Sequence, residues 1–417
     1  MRAAIAALIA VIVVACAGAA SAREEAPGIQ AAAAILVDAE TGQVLYARNA
    51  NARRPIASTT KIMSALLVLE RGNLEQTCQI SKCAAETPQS SIWLEPGERL
   101  RLRDLLTAML VKSANDAAAA AAESVAGSQE AFVDLMNVRA RELGAANTHF
   151  TNPHGLYDPQ HYSTARDLAI IARQALRNPE FCELARTTHA TIPWAGKDCE
   201  RVLVNKNKLL TMMRGADGVK TGYVKESGQC LVASASRGGW RLLAVLLDSP
   251  DLWVEAPALL EYGFDNFQSL QFARRGKTVA QVEVRGGEQP RVAVVPSESL
   301  TLVLPRSSHQ SYDYTPRLDL RRSRVSAPVR AGQQMGRLVL VAGTQELQSV
   351  NLVAGETVPR SLLWSIWLGM SRFTLCLVAA AMVVRSYSVA TKRYRTRRVN
   401  VRLTPAQREP RSSVMPR

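Results

Sequence analysis

The 417-residue sequence has few aromatic residues, no internal repeat and no pattern of metal ligands. Aromatic residues make up only 5% of the chain. Its five histidines and seven cysteines do not follow the spacing of a zinc site, so we expect no metal ion. Hydrophobic residues at 47% and charged residues at 21% are typical of globular proteins, which excludes a disordered or collagen-like chain. The length allows two or three domains of ordinary size.

Most of the chain carries no net positive charge. The total of +15 divides into +9 for residues 385–417, +1 from Arg372 in residues 361–384, +6 for residues 270–360, and a near-neutral balance of −1 for residues 1–269. A basic face is the usual mark of a nucleic-acid-binding protein. Because the largest part of this chain has none, we expect no nucleic-acid partner, and the basic character is mostly that of a tail.

The N-terminus has the pattern of a secretory signal peptide. Met1 and Arg2 precede an uncharged apolar run that ends in Ala20-Ser21-Ala22. A short positive start, an apolar stretch and small residues at the end predict a signal peptide over residues 1–22, cleaved after Ala22. Lipoprotein processing at Cys16 is the alternative.

An apolar segment near the C-terminus predicts a membrane helix over residues 361–384. Its 24 residues are enough to span a bilayer, although Arg372 near the middle costs roughly 2.5–3.5 kcal/mol on insertion scales. The alternative is an interfacial helix with Trp364 and Trp367 at the level of the headgroups. The basic tail, residues 385–417, is expected in the cytoplasm by the positive-inside rule. Both ends thus predict an exported, membrane-anchored protein with its bulk outside the cytoplasm.

Five cysteines lie between these two ends, an odd number that allows at most two disulfides. A bridge from Cys182 to Cys199 would close a loop. Free thiols are the alternative that we favour, because unpaired cysteines are commonly buried.

Between the ends, the sequence predicts an α+β fold followed by a small all-β domain. Residues 33–38 and 43–47 indicate a hairpin, and residues 229–236 and 240–248 indicate a second strand pair, with helical patterns between them. Strands at both ends of such a segment predict an antiparallel sheet with a helical cluster. Beyond residue 267, short strand-like runs are separated by Gly, Pro and Ser. They are residues 279–284, 292–295, 300–304, 337–341 and 348–353.

Three short motifs carry the residues of a nucleophilic site. Ser58-Thr59-Thr60-Lys61 stands at the predicted start of a helix through about Glu70, where residues three apart share a face. The Ser58 hydroxyl and the Lys61 amine can therefore meet. Burial and a helix N-terminus would lower the pKa of that lysine and make it a base for the serine.

The other two motifs offer hydrogen-bonding groups and a cation. Ser113-Ala114-Asn115 lies in a predicted loop after a leucine-striped helix, and it can present a hydroxyl and an amide together. Lys220-Thr221-Gly222 precedes the second strand pair and adds a cation and a hydroxyl at a strand edge. Gly222 would let a substrate backbone approach closely.

In this order, the three motifs resemble the signature of penicillin-binding proteins and class A β-lactamases. The chain resembles the serine-type D-alanyl-D-alanine carboxypeptidases, which are low-molecular-mass penicillin-binding proteins of the peptidase S11 family. This likeness extends over further stretches, namely Arg54–Ser58, Asn152–Leu156, His161–Asp167 and Gly215–Lys220. It implies a β-lactamase/transpeptidase-like catalytic domain over residues 28–265 and a C-terminal β domain over residues 270–355.

The resemblance implies a role for each matched residue. Ser58 would be the nucleophile, Lys61 its general base, and Ser113 a relay of the proton to the leaving amine. Asn115 would hydrogen-bond the substrate or Lys61. No cofactor is implied.

Residues of the third motif would bind the end of the substrate. Lys220 and Thr221 would hold a terminal carboxylate, and the N–H groups of Ser58 and Tyr223 would stabilise an oxyanion. The chain departs from the family pattern at Ala114, where Gly is frequent, and at Tyr223, where some members have His. These departures concern rate and pH dependence more than reaction class.

The expected reaction removes the terminal D-Ala from peptidoglycan stem pentapeptides through an acyl-enzyme on Ser58. β-Lactams would acylate the same serine. Three alternatives stay open: a β-lactamase, for which we find no match to the deacylating Glu of class A enzymes; a membrane-held peptidoglycan-binding protein of weak activity; and an endopeptidase acting on cross-links.

Overall fold

The computed structural model describes residues 27–307 and 314–397. These form two compact units. The first contains the described residues up to Leu270 and the described part of Thr301–Tyr312; the second contains Gln271–Leu300 and the described residues after Asp313. The predicted signal peptide, with Cys16, and residues 398–417 of the predicted tail lie outside the described residues.

Helices and short strands alternate in the first unit between two strand-rich ends. In chain order its elements are β1 (Ala33–Asp38), β2 (Val44–Arg48), a 3₁₀ turn (Ala57–Thr60), α1 (Lys61–Arg71), β3 (Thr77–Gln79), α2 (Lys82–Ala85), β4 (Arg99–Arg101), α3 (Leu102–Thr107), a π-helical turn (Ala108–Lys112), α4 (Asn115–Ala126), α5 (Gln129–Leu143), α6 (Ala165–Ala175), α7 (Pro179–Arg186), β5 (His189–Ile192), β6 (Arg201–Val204), α8 (Leu209–Met212), β7 (Ala216–Val224), β8 (Gly228–Arg237), β9 (Trp240–Ser249) and α9 (Leu252–Asn266).

A five-stranded antiparallel sheet of order β2-β1-β9-β8-β7 organises this unit. All six residues of β1 are buried, because both faces of the sheet are covered. Ile35 and Val37 pack in the core that contains the helical cluster, whereas Ala34 and Leu36 pack in the core that contains α9. This alternation follows from the period of two along a strand. The predicted α+β fold, an antiparallel sheet with a helical cluster, is confirmed.

The helical cluster packs closely because its middle helix is rich in alanine. The residues from Ala117 to Ala122 in α4 are all buried, and small side chains there allow α1 and α3 to lie against α4. Helix α6 has a capping residue at its N-terminus. Thr164 is the cap, since its hydroxyl accepts a hydrogen bond from the Asp167 N–H at 3.0 Å.

The structure corrects two local expectations in this unit. Ser58 lies inside a 3₁₀ turn, and the α-helix begins only at Lys61. The predicted helix before Ser113 has an apolar stripe of Leu102, Leu105, Leu106, Met109 and Leu110. It is α-helical to Thr107 and continues as a π turn up to Lys112. In both cases tertiary packing decides the backbone form that periodicity alone leaves open. The Lys220 motif precedes the strand pair as expected, and it lies within a further strand, β7, at the edge of the sheet.

Strands dominate the rest of the chain, which ends in one long helix. The elements are β10 (Phe267–Ala273), β11 (Ala280–Arg285), β12 (Arg291–Pro296), β13 (Leu300–Pro305), β14 (Tyr314–Leu320), β15 (Arg324–Ser326), β16 (Gln334–Ala342), β17 (Gln345–Ala354) and α10 (Leu362–Arg397).

Strand β13 departs from the expected assignment. We expected residues 300–304 within the all-β domain, but β13 pairs with β10 in a separate two-stranded sheet. Its residues from Thr301 onward belong to the first unit. The alternating sequence of this strand does not specify which partner it pairs with.

The second unit is built on a six-stranded sheet that must be rolled. Its order is β14-β16-β17-β12-β11-β15, so β14 and β15 are opposite edges. In a flat sheet they would lie roughly 24 Å apart, at about 4.8 Å per strand spacing. The chain from Leu320 to Arg324 spans at most about 14 Å. The sheet therefore curves towards closure, which places Val284, Val292 and Leu352 in a common buried interior.

Helix α10 is longer than the predicted membrane segment. It runs from Leu362 to Arg397, and its stretch Leu362–Lys392 is long and apolar enough to cross a membrane, with a mean hydropathy of 1.8 over an 18-residue window. The predicted segment, residues 361–384, lies in this helix apart from Ser361. The predicted tail begins inside the helix rather than after it.

The cysteines of the described residues are all free. No disulfide joins Cys182 to Cys199, which agrees with the alternative of free thiols. No cluster of three or more potential metal ligands occurs in the described part of the chain.

Candidate active site

An open cleft of about 500 Å³ lies in the first unit, at the edge of the sheet. Strand β7 forms one side, and the 3₁₀ turn and the start of α4 form another. The cleft brings together six of the eight candidate site residues, while Lys61 and Lys220 lie buried behind its wall. Its lining residues are Ser58, Gln89, Ser90, Ser113, Asn115, Gly155, Leu156, Lys206, Thr221, Gly222, Tyr223, Val224, Gln229, Leu252 and Trp253.

The 3₁₀ turn presents Ser58 to the cleft under local strain. Ala57 precedes Ser58 with a φ of 46°, a left-handed conformation that residues with a Cβ rarely adopt. Two hydroxyls hold the turn: Thr59 Oγ1 donates to the Ile56 carbonyl at 2.7 Å, and Thr60 Oγ1 donates to the Ala57 carbonyl at 2.8 Å. The strain is therefore offset by contacts on both sides of the serine.

The Lys61 amine lies between three oxygen atoms. Its Nζ is 3.0 Å from Ser58 Oγ, 2.7 Å from Asn115 Oδ1 and 2.6 Å from the His154 carbonyl oxygen. The amide and carbonyl oxygens can only accept hydrogen bonds. A neutral amine has two N–H groups and one lone pair, so with both N–H groups directed to these acceptors, its lone pair faces the Ser58 hydroxyl. This geometry would allow the lysine to accept a proton from the serine.

The surroundings of Lys61 favour the neutral amine. Its side chain is fully buried, and burial lowers the pKa well below the usual 10.5. The positive charges of Lys220 and Lys206 lower the pKa further, whereas Asp116 acts in the opposite direction. Desolvation of the charged form is thus the main cause.

Ser113 and Asn115 of the second motif also line the cleft. Ser113 ends the π turn in a left-handed conformation with a φ of 67°, which reverses the chain and directs the next residues into α4. Asn115 is held on both sides: its backbone N–H donates to the Ser90 carbonyl at 2.6 Å, and its Nδ2 donates to the Pro88 carbonyl at 2.8 Å. These bonds orient Oδ1 towards Lys61. Asn115 therefore contacts the lysine.

Strand β7 passes so close to the 3₁₀ turn that a side chain at position 222 would crowd the turn. A Cβ on Gly222 would lie 3.0 Å from the Ile56 carbonyl oxygen and 3.0 Å from the Ser58 nitrogen. We expected this glycine to admit a substrate, and the structure adds that it admits the turn bearing Ser58. Thr221 and the exposed Tyr223 flank it on the cleft side.

Two further lysines make the cleft positive. Lys220 is buried, donates to the Thr221 carbonyl at 3.1 Å, and has its pKa lowered to about 7 by burial and by the charge of Lys206. Lys206 lines the cleft, and burial lowers its pKa as well. None of the lining residues is an Asp or Glu. A cleft of this charge suits an anionic group.

Sequence patterns missed several groups that shape this site. The His154 carbonyl holds Lys61 but carries no side-chain signal, and Lys206 stands in no recognisable motif. Asp116 was missed as well, although it follows the second motif directly. Its buried carboxylate accepts hydrogen bonds from the Ser91 hydroxyl at 2.5 Å and from the Ile92 N–H at 3.1 Å. Asp116 thereby fixes the loop that contributes Gln89 and Ser90 to the cleft.

A serine beside a buried lysine whose pKa is lowered, with an amide and a lysine-bearing edge strand around them, defines a serine acyl-transfer enzyme of the Ser-Lys type. Comparison with known families supports a narrower statement. The D-alanyl-D-alanine carboxypeptidase family, peptidase S11, matches residues 20–251. The chain belongs to this family. The C-terminal domain of penicillin-binding protein 5 matches residues 267–360.

Individual relatives agree with this assignment. The D-alanyl-D-alanine carboxypeptidase DacF of Bacillus subtilis is 34% identical over 340 residues, which cover 80% of this chain and 87% of the relative. DacD of Escherichia coli is 31% identical over 81% of this chain and 89% of its own length. The crystal structure of penicillin-binding protein 5 from Haemophilus influenzae is similar with a TM-score of 0.64 at 30% identity, covering 81% of this chain and 100% of that one. The fold is therefore that of a penicillin-binding protein with an N-terminal catalytic domain and a C-terminal β domain.

Proposed function

We propose that this protein is a serine-type D-alanyl-D-alanine carboxypeptidase that removes the terminal D-Ala from peptidoglycan stem pentapeptides. The observation that carries the proposal is the buried Lys61 amine, held 3.0 Å from Ser58 Oγ by two oxygens that can only accept. A serine hydroxyl needs such a base to attack an amide at neutral pH. The activity in the names of the relatives agrees with this chemistry.

Acylation begins when Lys61 takes the proton of Ser58 as Oγ attacks the penultimate D-Ala carbonyl carbon. The backbone N–H groups of Ser58 and Tyr223 stabilise the oxyanion. The C–N bond then breaks; Ser113 gives its proton to the leaving amine and takes the proton that Lys61 removed from Ser58, so that D-Ala departs, Lys61 is neutral again and an ester on Ser58 remains. Water attacks this ester and gives a proton to Lys61. As the ester C–O bond breaks, Lys61 returns this proton to Ser58 Oγ, and the shortened peptide leaves with a new terminal carboxyl group. β-Lactams enter by the same attack and stay as covalent inhibitors.

The terminal carboxylate binds beside the edge strand. Lys220 supplies a positive charge and Thr221 a hydroxyl, immediately before Gly222, the residue that touches the turn of the nucleophile. Lys206 adds charge at the same cleft. A free C-terminus is therefore favoured over an internal peptide bond, which argues against a primary endopeptidase activity.

The main competing functions are a β-lactamase and a binding protein of weak activity. Class A β-lactamases use a Glu to activate the deacylating water, whereas no Asp or Glu is among the residues lining this cleft. Slow penicillin turnover is thus expected. A binding protein would need neither the lowered pKa of Lys61 nor its contact with Ser58.

D-Ala release from a stem pentapeptide tests the proposal. The full-length protein should release one D-Ala per peptide, and Ser58→Ala should release none. Ser81→Ala, which alters a serine hydroxyl that caps the short helix α2, serves as the matched control and should stay active. No release by the wild-type protein would leave the binding function; rapid and repeated hydrolysis of penicillin would favour the β-lactamase.

The pKa of Lys220 predicts a basic limb in the pH profile. With a pKa of about 7 in the free enzyme, Lys220 is charged below this pH and loses its charge as the pH rises through it. We therefore expect kcat/KM for a substrate with a free carboxylate to fall above about pH 7. In Lys220→Arg the limb should move to higher pH, because Arg stays charged. Profiles of wild type, Lys220→Arg and the exposed control Lys197→Arg test this; an identical limb in all three would assign it to another group.

We propose further that the protein is exported and attached to a membrane through α10, with the catalytic unit outside the cytoplasm. Side chains of α10 such as Leu363, Phe373 and Leu375 are exposed, and the helix is long enough to reach across a bilayer. At its start, the Trp364 and Trp367 rings stack with centroids 5.1 Å apart, the aromatic pair typical of a headgroup region. The basic residues after it support a cytoplasmic tail.

Ending the chain after Arg360 tests this attachment. We expect the full-length protein to sediment with membranes and the shortened protein to remain in the soluble fraction, because the apolar helix is lost. The kcat for D-Ala release should not change, since every residue of the cleft lies in the first unit. A shortened protein that still sediments with membranes would place the attachment elsewhere.

A further inference from the structure

His161 is a buried histidine that the proposed mechanism does not use. Only 3% of it is exposed, and its ring packs edge to face on Phe150 with centroids 5.6 Å apart. Its Nδ1 lies 3.1 Å from the Thr151 nitrogen, and its Nε2 lies 2.8 Å from Thr60 Oγ1. Both ring nitrogens are therefore engaged.

These groups form a series of hydrogen bonds from Thr151 through His161 and Thr60 to Ala57. The donor and acceptor capacities of the groups fix the direction of every bond in this series. The Thr151 N–H can only donate, so Nδ1 accepts and carries no proton, and Nε2 of the neutral ring carries it. Nε2–H then donates to Thr60 Oγ1, whose own proton goes to the Ala57 carbonyl at 2.8 Å. Protonation at Nδ1 would oppose the Thr151 N–H, which agrees with a pKa lowered to about 4 by burial.

The two ends of this series of hydrogen bonds hold the residues around Ser58 and Lys61. At one end, the Ala57 carbonyl precedes Ser58 directly, and Ala57 has the left-handed φ of 46°. At the other end, Thr151 begins the loop whose Asn152 side chain accepts hydrogen bonds from the N–H groups of His154 and Gly155 at 3.3 and 2.6 Å. That loop places the His154 carbonyl on Lys61 Nζ at 2.6 Å.

We propose that His161 is a positioning residue that couples the turn bearing Ser58 to the loop that holds Lys61. By joining Ala57 to Thr151 through Thr60, it keeps the nucleophile and its base within hydrogen-bonding distance. A misplacement of about 1 Å between reacting groups can cost about 10²-fold in rate. The inference rests on the proposed roles of Ser58 and Lys61.

The variant His161→Phe keeps a ring against Phe150 and removes both hydrogen bonds. We expect kcat for D-Ala release, and the rate of acylation by a fluorescent penicillin, to fall about 10²-fold, with KM changed less than about threefold. His161→Gln should recover much of this loss, because its amide can donate to Thr60 and accept from Thr151. His149→Phe is the control: His149 is only half-buried, its side chain bonds the Gln160 carbonyl through Nδ1, and its ring packs on Tyr162, a contact that Phe can keep. The rates of this variant should match the wild type.

A double-variant cycle separates positioning from a general loss of stability. Thr60→Val removes the next member of the same series of hydrogen bonds, so it should lower kcat to a similar extent. Adding His161→Phe to this variant should lower kcat little further. Losses that multiply in the double variant, or a wild-type kcat in either single variant, would overturn the proposal. Thr60→Val also keeps the test open if His161→Phe does not fold. A wild-type protein that releases no D-Ala at all would instead refute the proposed function.

Discussion

Replacing Lys61 with methionine is expected to lower kcat/KM for D-Ala release about 10³-fold, the scale on which a general base contributes to catalysis. Methionine has a similar length but no basic nitrogen, so the Ser58 hydroxyl loses the lone pair that would accept its proton. Acylation by a fluorescent penicillin should slow by a similar factor, because both substrates require the same attack on a carbonyl carbon.

The control for this variant is Lys197→Met, which makes the same chemical change at an exposed position. It should leave kcat/KM unchanged. Lys61→Met leaves Asn115 Oδ1 and the His154 carbonyl without a donor, and thermal melting shows whether the variant is folded. A folded Lys61→Met protein with nearly wild-type kcat/KM would mean that another group activates Ser58.

Gly155→Ala is expected to have the largest effect of any single methyl group in the site. A Cβ at this position would lie 1.9 Å from the Ala57 carbonyl oxygen and 2.8 Å from Thr60 Oγ1. Gly155 also has a φ of +87°, where alanine is strained by about 1–2 kcal/mol. The backbone cannot move aside as a flexible side chain does. We therefore expect Gly155→Ala to lower the free energy of unfolding by about 3 kcal/mol or more in total. Acylation of Ser58 should fall as well, since Ala57 precedes it.

Gly144→Ala separates the steric contact with Ala57 from the backbone strain at positive φ. Gly144 has nearly the same φ of +85° at the end of α5, but a Cβ there would have nothing within 4 Å. Its loss should therefore be limited to the backbone strain, about 1–2 kcal/mol, with full acylation activity. Thermal unfolding of both variants tests this: equal shifts in Tm would show that the contact between Gly155 and Ala57 does not matter.

The sequence singles out the candidate reactive side chains more readily than the groups that hold them in place. Ser58, Lys61 and Asn115 stand in local motifs, and spacing alone suffices to bring a serine and a lysine three residues apart together. The acceptor that completes the Lys61 site is the His154 carbonyl, a backbone group that any residue supplies. Such a contact exists only after the chain has folded, and no side-chain pattern marks it.

Backbone form and strand pairing were likewise beyond the reach of local patterns. The sequence predicts a helix beginning at Ser58, whereas the close approach of Gly222 accommodates a tight 3₁₀ turn there. It predicts strands after residue 267, but not that β13 pairs outside the β domain or that a three-residue link rolls the sheet. Each of these depends on partners distant in the chain. The domain limits at residues 28–265 and 270–355 remain a prediction.

The most direct test of the account is to identify the residue that penicillin acylates. The full-length protein is incubated with penicillin and digested, and the modified peptide is sequenced by mass spectrometry, alongside Ser58→Ala and Ser113→Ala. We expect one adduct, on Ser58, that is absent from Ser58→Ala and still formed, more slowly, in Ser113→Ala. An adduct that persists in Ser58→Ala, or that maps to another residue of the wild-type protein, would contradict the assignment of the nucleophile and the mechanism built on it.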